Sequence, residues 1–162
     1  MPLARTRNQG FTLMELMIVV ALVAIIATVA VPGFGRLVES NRVSGYANTV
    51  VGAMSYARAE AVRAGARIDV QASTSGGATV WGNGFRIERG GVLLREIEAA
   101  PTGVTFERND SNGVTFSFRS TGELVNNNEN LEFSICGDVT RREVLVEVLG
   151  GGLVRATAGN DC

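Results

Sequence analysis

The chain has 162 residues, 15 basic residues that are all arginine, 16 acids, no histidine and a formal charge of −1. Without histidine there is no Ser-His-Asp or Cys-His relay and no imidazole metal site; without lysine there is no Schiff base and no phosphate-loop lysine. Near-neutral charge argues against a nucleic-acid binder held by bulk electrostatics, so the expectation is a non-enzymatic chain that needs no cofactor.

Residues 1–10 are short and polar and carry Arg5 and Arg7; from Phe11 to Val31 the one charged side chain is Glu15. As a helix that span is about 31 Å long, against roughly 30 Å of bilayer core. A positive flank ahead of one apolar span puts the N-terminus in the cytoplasm and the rest of the chain across the membrane. A cleaved secretory leader fits poorly. The apolar stretch is too long, and Ala27-Thr28-Val29-Ala30 runs straight into Val31 and Pro32. Glu15 costs roughly 2.5–3.5 kcal/mol if it lies deep in the bilayer. Its residues alone allow a capping box, Thr12-x-x-Glu15, or a buried charge retained for pairing. Pro32, with Gly33 and Gly35 behind it, marks a kink at the end of the span.

From Arg36 to Ala64 the pattern is helical: Val43, Ala47, Val50, Met54, Ala57 and Ala61 make one apolar stripe, and Gly65 is placed as a C-cap. That stripe is read as the face carrying a β region. After Gly65, short alternating runs predict strands: Ile68, Val70 and Ala72; Val104 and Phe106; Val114, Phe116 and Phe118; Leu131, Phe133 and Ile135. Residues 142–149 read as the best strand, with Gly150-Gly151-Gly152 reversing into Leu153-Val154-Arg155. Together they predict an α+β fold, an antiparallel sheet packed on the helix stripe. Trp81, beside a glycine-rich turn, reads as core in preference to a ligand-stacking platform. Cys136 and Cys162 both lie beyond the span, where an oxidising compartment would join them; their 26-residue separation makes the bridge worth roughly 3.5 kcal/mol by chain entropy.

Gly10-Phe11-Thr12-Leu13-Met14-Glu15-Leu16-Met17-Ile18-Val19-Val20-Ala21-Leu22 resembles the prepilin leader junction of type IV pilins and type II secretion pseudopilins. The stretch Met54 to Val62, Trp81-Gly82-Asn83-Gly84-Phe85 and Phe118-Arg119-Ser120-Thr121-Gly122 resemble segments of the GspH/FimT branch. The resemblance implies a pilin-like fold, a long N-terminal helix whose first half spans the membrane. It divides the chain into a leader (1–10), a transmembrane half with its Pro/Gly exit (11–35), an amphipathic second half (36–65) and a periplasmic β-rich domain (66–162). It implies a prepilin peptidase that cuts between Gly10 and Phe11 and methylates the new Phe11 amine. Glu15 then lies one turn in and pairs with its own or a neighbour's amine, registering subunits. Pro32, Gly33 and Gly35 become a segment that bends or melts as subunits pack. The implied surroundings are inner-membrane lipid and other major or minor pilins or pseudopilins.

Three functions are weighed on this basis. A minor type IV pilin leads, since a terminal disulfide of this kind resembles those pilins more than the pseudopilins. A type II secretion pseudopilin of the H type is second. A DNA-binding tip protein is third: Arg141, Arg142 and Arg155 could line phosphates. Some FimT-type proteins carry a Gly-Arg-x-Arg run where this chain has Gly152-Leu153-Val154-Arg155, so the first arginine is missing. A solvated face is the expectation for these arginines.

Overall fold

The structure, a computed structural model, describes residues 11–109, 113–125, 130–138 and 142–162. One helix, α1 (Leu13–Ala64), runs for 52 residues and includes Pro32, Gly33 and Gly35 without a break in its helical backbone. The chain divides into two compact units, Met1–Leu37 and Val38–Cys162.

In the first unit, α1 is long and apolar enough to cross a membrane. Phe11, Leu13, Met14, Ile18, Ile25 and Ile26 are all exposed. In the second unit the helix changes character. Val43, Ala47, Val50, Met54, Ala57 and Ala61 are at most 1% exposed, and Tyr46 and Ala53 join them. The helix ends at Gly65, whose φ of +60° suits glycine. There Gly65 N–H donates to the Val62 carbonyl and Ala66 N–H to the Ala61 carbonyl, a Schellman cap.

The strands are β1 (Ile68–Ala72), a small ribbon of β2 (Thr74–Ser75) and β3 (Ala78–Thr79), then β4 (Phe85–Arg89), β5 (Val92–Ile97), β6 (Val104–Arg108), β7 (Thr115–Phe118), β8 (Leu131–Gly137), β9 (Arg142–Val148) and β10 (Val154–Asp161). Among the described residues they form two four-stranded sheets, ordered β5-β4-β1-β7 and β10-β9-β8-β6, with antiparallel neighbours throughout. β1 alternates buried and half-buried residues, and β8 buried residues with half-buried ones and exposed Glu132, so one face of each turns inward. The inward residues of both sheets and the helix stripe form one core. Its centre is aromatic: Trp81 meets Phe133 edge-on at 5.0 Å between centroids, and Phe85, Phe106 and Phe116 surround them.

The α+β expectation agrees with this architecture. Two details differ. The hairpin of β4 and β5 was not expected, and β7 starts at Thr115, leaving Val114 exposed.

Candidate functional site

The residues expected to serve processing and assembly lie at and before the start of α1. Gly10 is outside the described residues; Phe11 is exposed just ahead of the helix. Thr12 caps the helix: its Oγ1 accepts the Glu15 N–H at 3.2 Å and its carbonyl accepts the Leu16 N–H at 3.2 Å. Thr12 thus makes half of the capping box, but among the described residues the Glu15 carboxylate has no hydrogen-bond or ion-pair partner. It stands exposed in the first helical turn, among apolar side chains. Gly33 and Gly35 have open space around them, and Pro32 is placed by its backbone alone.

The far end of the chain is fixed covalently. Cys136 on β8 is bonded to Cys162, with Cα atoms 6.1 Å apart. The bridge ties the residue that follows β10 to β8, two strands away in the sheet order, where Cys136 pairs with Glu143 and Asp161 with Arg142.

Of the three arginines considered for phosphate, Arg141 lies outside the described residues and Arg142 is placed by its backbone alone. Arg155 sits opposite Glu147 in the β9–β10 ladder and forks onto it, Nε to Oε2 at 2.6 Å and Nη2 to Oε1 at 3.3 Å. That hydrogen bond, more than the charge alone, holds the Glu147 carboxyl below its ordinary range. Trp81 is 4% exposed and its indole N–H donates to the Gly113 carbonyl at 2.8 Å, which makes it core.

Two polar arrangements escaped the sequence. Arg58 reaches from α1 to both loops beneath it: Nε to the Gly122 carbonyl at 3.2 Å and Nη2 to the Gly151 carbonyl at 3.4 Å. Nearby, the Leu124 N–H donates to the Gly150 carbonyl. The Met54–Val62, Phe118–Gly122 and triple-glycine segments therefore meet at one place, which no spacing in the chain announces. Glu60, 5% exposed, accepts a fork from Arg63 at 2.6 and 2.8 Å, with Arg89 at 3.6 Å from the same carboxylate. The Arg63 hydrogen bonds lower the Glu60 pKa against the burial that raises it.

The fold is similar to known structures. The minor pilin FimU of Pseudomonas aeruginosa PAO1 superposes with a TM-score of 0.65 at 23% identity, over 78% of this chain and 98% of that one. The minor pseudopilin EpsH of the Vibrio cholerae type 2 secretion system gives 0.54 at 12% identity, over 72% of this chain and 97% of that one. No curated protein sequence matches the chain. A prokaryotic N-terminal methylation motif matches residues 5–31, across the Gly10-Phe11 junction and Glu15. Residues 46–152, most of the second unit, match the family of type II transport protein GspH, and the chain belongs to that family of pilin-like subunits.

Proposed function

We propose that the chain is a minor type IV pilin, a structural subunit that helps initiate or cap a pilus. In this reading prepilin peptidase removes residues 1–10 and methylates Phe11. The protein waits in the inner membrane, N-terminus cytoplasmic and residues 66–162 periplasmic, before extraction into the filament. The observation that carries it is the unpartnered Glu15 carboxylate, one turn inside an exposed apolar helix and within the matched methylation motif. Cutting at Phe11 creates the cation this carboxylate lacks, on the same subunit or its neighbour. Pairing offsets most of the cost of a buried charge, so Glu15 rewards correct register between helices.

Mass spectrometry of protein extracted from membranes tests processing: the mature chain should begin at N-methylated Phe11. An intact Met1 terminus in cells with active peptidase rejects it. Replacing Gly10 by a larger residue should keep the leader attached.

The second reading, a type II secretion pseudopilin of the H type, draws on the matched family's description. The Cys136–Cys162 bridge favours the pilus reading, by resemblance to minor pilins. Deleting the gene separates them: loss of surface pili with intact protein secretion supports the first, the reverse supports the second. DNA binding has less support, because Arg155 is already committed to Glu147.

A further inference from the structure

The C-terminal turns of α1 and the β9–β10 hairpin enclose an open groove of about 450 Å³, lined by Arg58, Ala59, Val62, Arg63, Leu153 and Val154 among others. Two of its aliphatic side chains are conspicuously uncovered: Val62 is 54% exposed and Leu153 is 52% exposed. The groove is also locally cationic on a chain whose net charge is −1. Arg58 donates only to the neutral carbonyls of Gly122 and Gly151, with no acid partner among the described residues. Arg63, the other arginine of the lining, is ion-paired with Glu60 at 2.6 Å, so the charge left for a partner is that of Arg58.

We infer that this groove seats an acidic, aliphatic segment of a neighbouring filament subunit. An aliphatic side chain of that segment covers Val62 and Leu153, and its carboxylate meets Arg58. This rests on the reading of the chain as an assembling pilin-class subunit. A protein segment suits the groove better than DNA. A phosphodiester would use the arginines but leave the aliphatic surface bare, and bases stack on aromatic rings, none of which lines this groove. Arg58 is already held by its two carbonyls, so its charge is positioned before the partner arrives and little ordering remains to oppose docking.

Photo-crosslinking in cells that assemble the full chain tests this. Benzoylphenylalanine is placed at Leu153, with exposed Glu132 on β8 as the control position. The expected result is a crosslink to another pilin-class subunit, at a peptide with Asp or Glu beside an aliphatic residue, well above the Glu132 yield. A crosslink to nucleic acid, to a segment without an acid, or no more than the control overturns it. Charge gives a second measure. Both Leu153→Glu and Leu153→Arg lose the aliphatic contact, but Leu153→Glu should lower the share of this subunit in sheared filaments about tenfold more than Leu153→Arg, near 1.4 kcal/mol. Equal losses, or no loss in either, overturn the charge argument, with thermal melting confirming that both variants fold. Wild-type protein missing from filaments would instead sink the assembly reading itself; wild-type protein present with a silent groove sinks this inference alone.

Discussion

Removing the Cys136–Cys162 bridge shows how the last strand is held. β10 is an edge strand, paired on one side with β9, and that pairing shifts register between Ala158 and Asp161, just before Cys162. The bridge reaches past β9 to β8 and pins this poorly paired end. It closes a 26-residue loop, so the unfolded chain gains freedom worth about 3.5 kcal/mol when it is cut. Cys136 is half-buried, so Cys136→Ser with Cys162→Ser adds little packing loss. At roughly 3–6 °C per kcal/mol for a domain of this size, the melting midpoint should fall by about 10–20 °C. The measurement is thermal unfolding of the detergent-solubilised full chain, followed through the near-ultraviolet signal of Trp81. Hydrogen exchange adds the location: β10 amides should lose protection before those of β8. A midpoint shift below about 3 °C, or loss spread evenly over β8, β9 and β10, would refute the reasoning.

Glu15→Val removes a charge that costs roughly 2.5–3.5 kcal/mol deep in a bilayer, so membrane levels should hold or rise while the share in sheared filaments drops; equal shares would contradict pairing. Gly152 has φ +81° and a Cβ there would run into the Gly122 carbonyl, so Gly152→Ala should cost about 2–3 kcal/mol in a urea titration, and a cost near zero would show the two loops free to separate. Acid should act through Glu60, whose pKa is lowered in the fold, chiefly by the Arg63 hydrogen bonds. Its stabilisation is full above the ordinary range of a glutamate in the unfolded chain and is lost as pH falls through the lower folded value. Glu60→Gln should therefore flatten the fall of the melting midpoint in acid, and an unchanged acid slope would rule this group out.

What the sequence disclosed, and what it hid, follows from the range of each interaction. The helix stripe was legible because burial on one face repeats at 3.6 residues, and all six stripe residues are buried. The Gly65 cap was legible because its cause is local. β5 was not: Val92-Leu-Leu-Arg-Glu-Ile does not alternate, and as an edge strand it exposes Val92 and Leu93 while burying Ile97. The signal that could have found it was Gly90-Gly91, a two-residue reversal with both φ positive. Arg155 was flagged as a charge, yet its partner lies eight residues back and depends on the hairpin register. Arg58 lies within the Met54–Val62 stretch, but its acceptors are main-chain carbonyls 64 and 93 residues away, and carbonyl positions leave no mark in composition or periodicity.

The two stretches of α1 answer to different driving forces, which on the assembly reading makes one carboxylate decisive. Beyond residue 37, burying Val43, Val50, Met54 and their neighbours removes apolar surface from water, which supplies the domain's stability. Before it, the exposed leucines, isoleucines and valines gain almost nothing by leaving lipid for a filament core, because lipid tails are as apolar as they are. On the assembly reading, the transfer from bilayer to filament is nearly neutral for those side chains. Its direction and register then fall to packing and to the few polar terms. Glu15 is the one ionisable side chain from Phe11 to Val31, so on that reading a single ion pair at that depth outweighs its eighteen apolar neighbours.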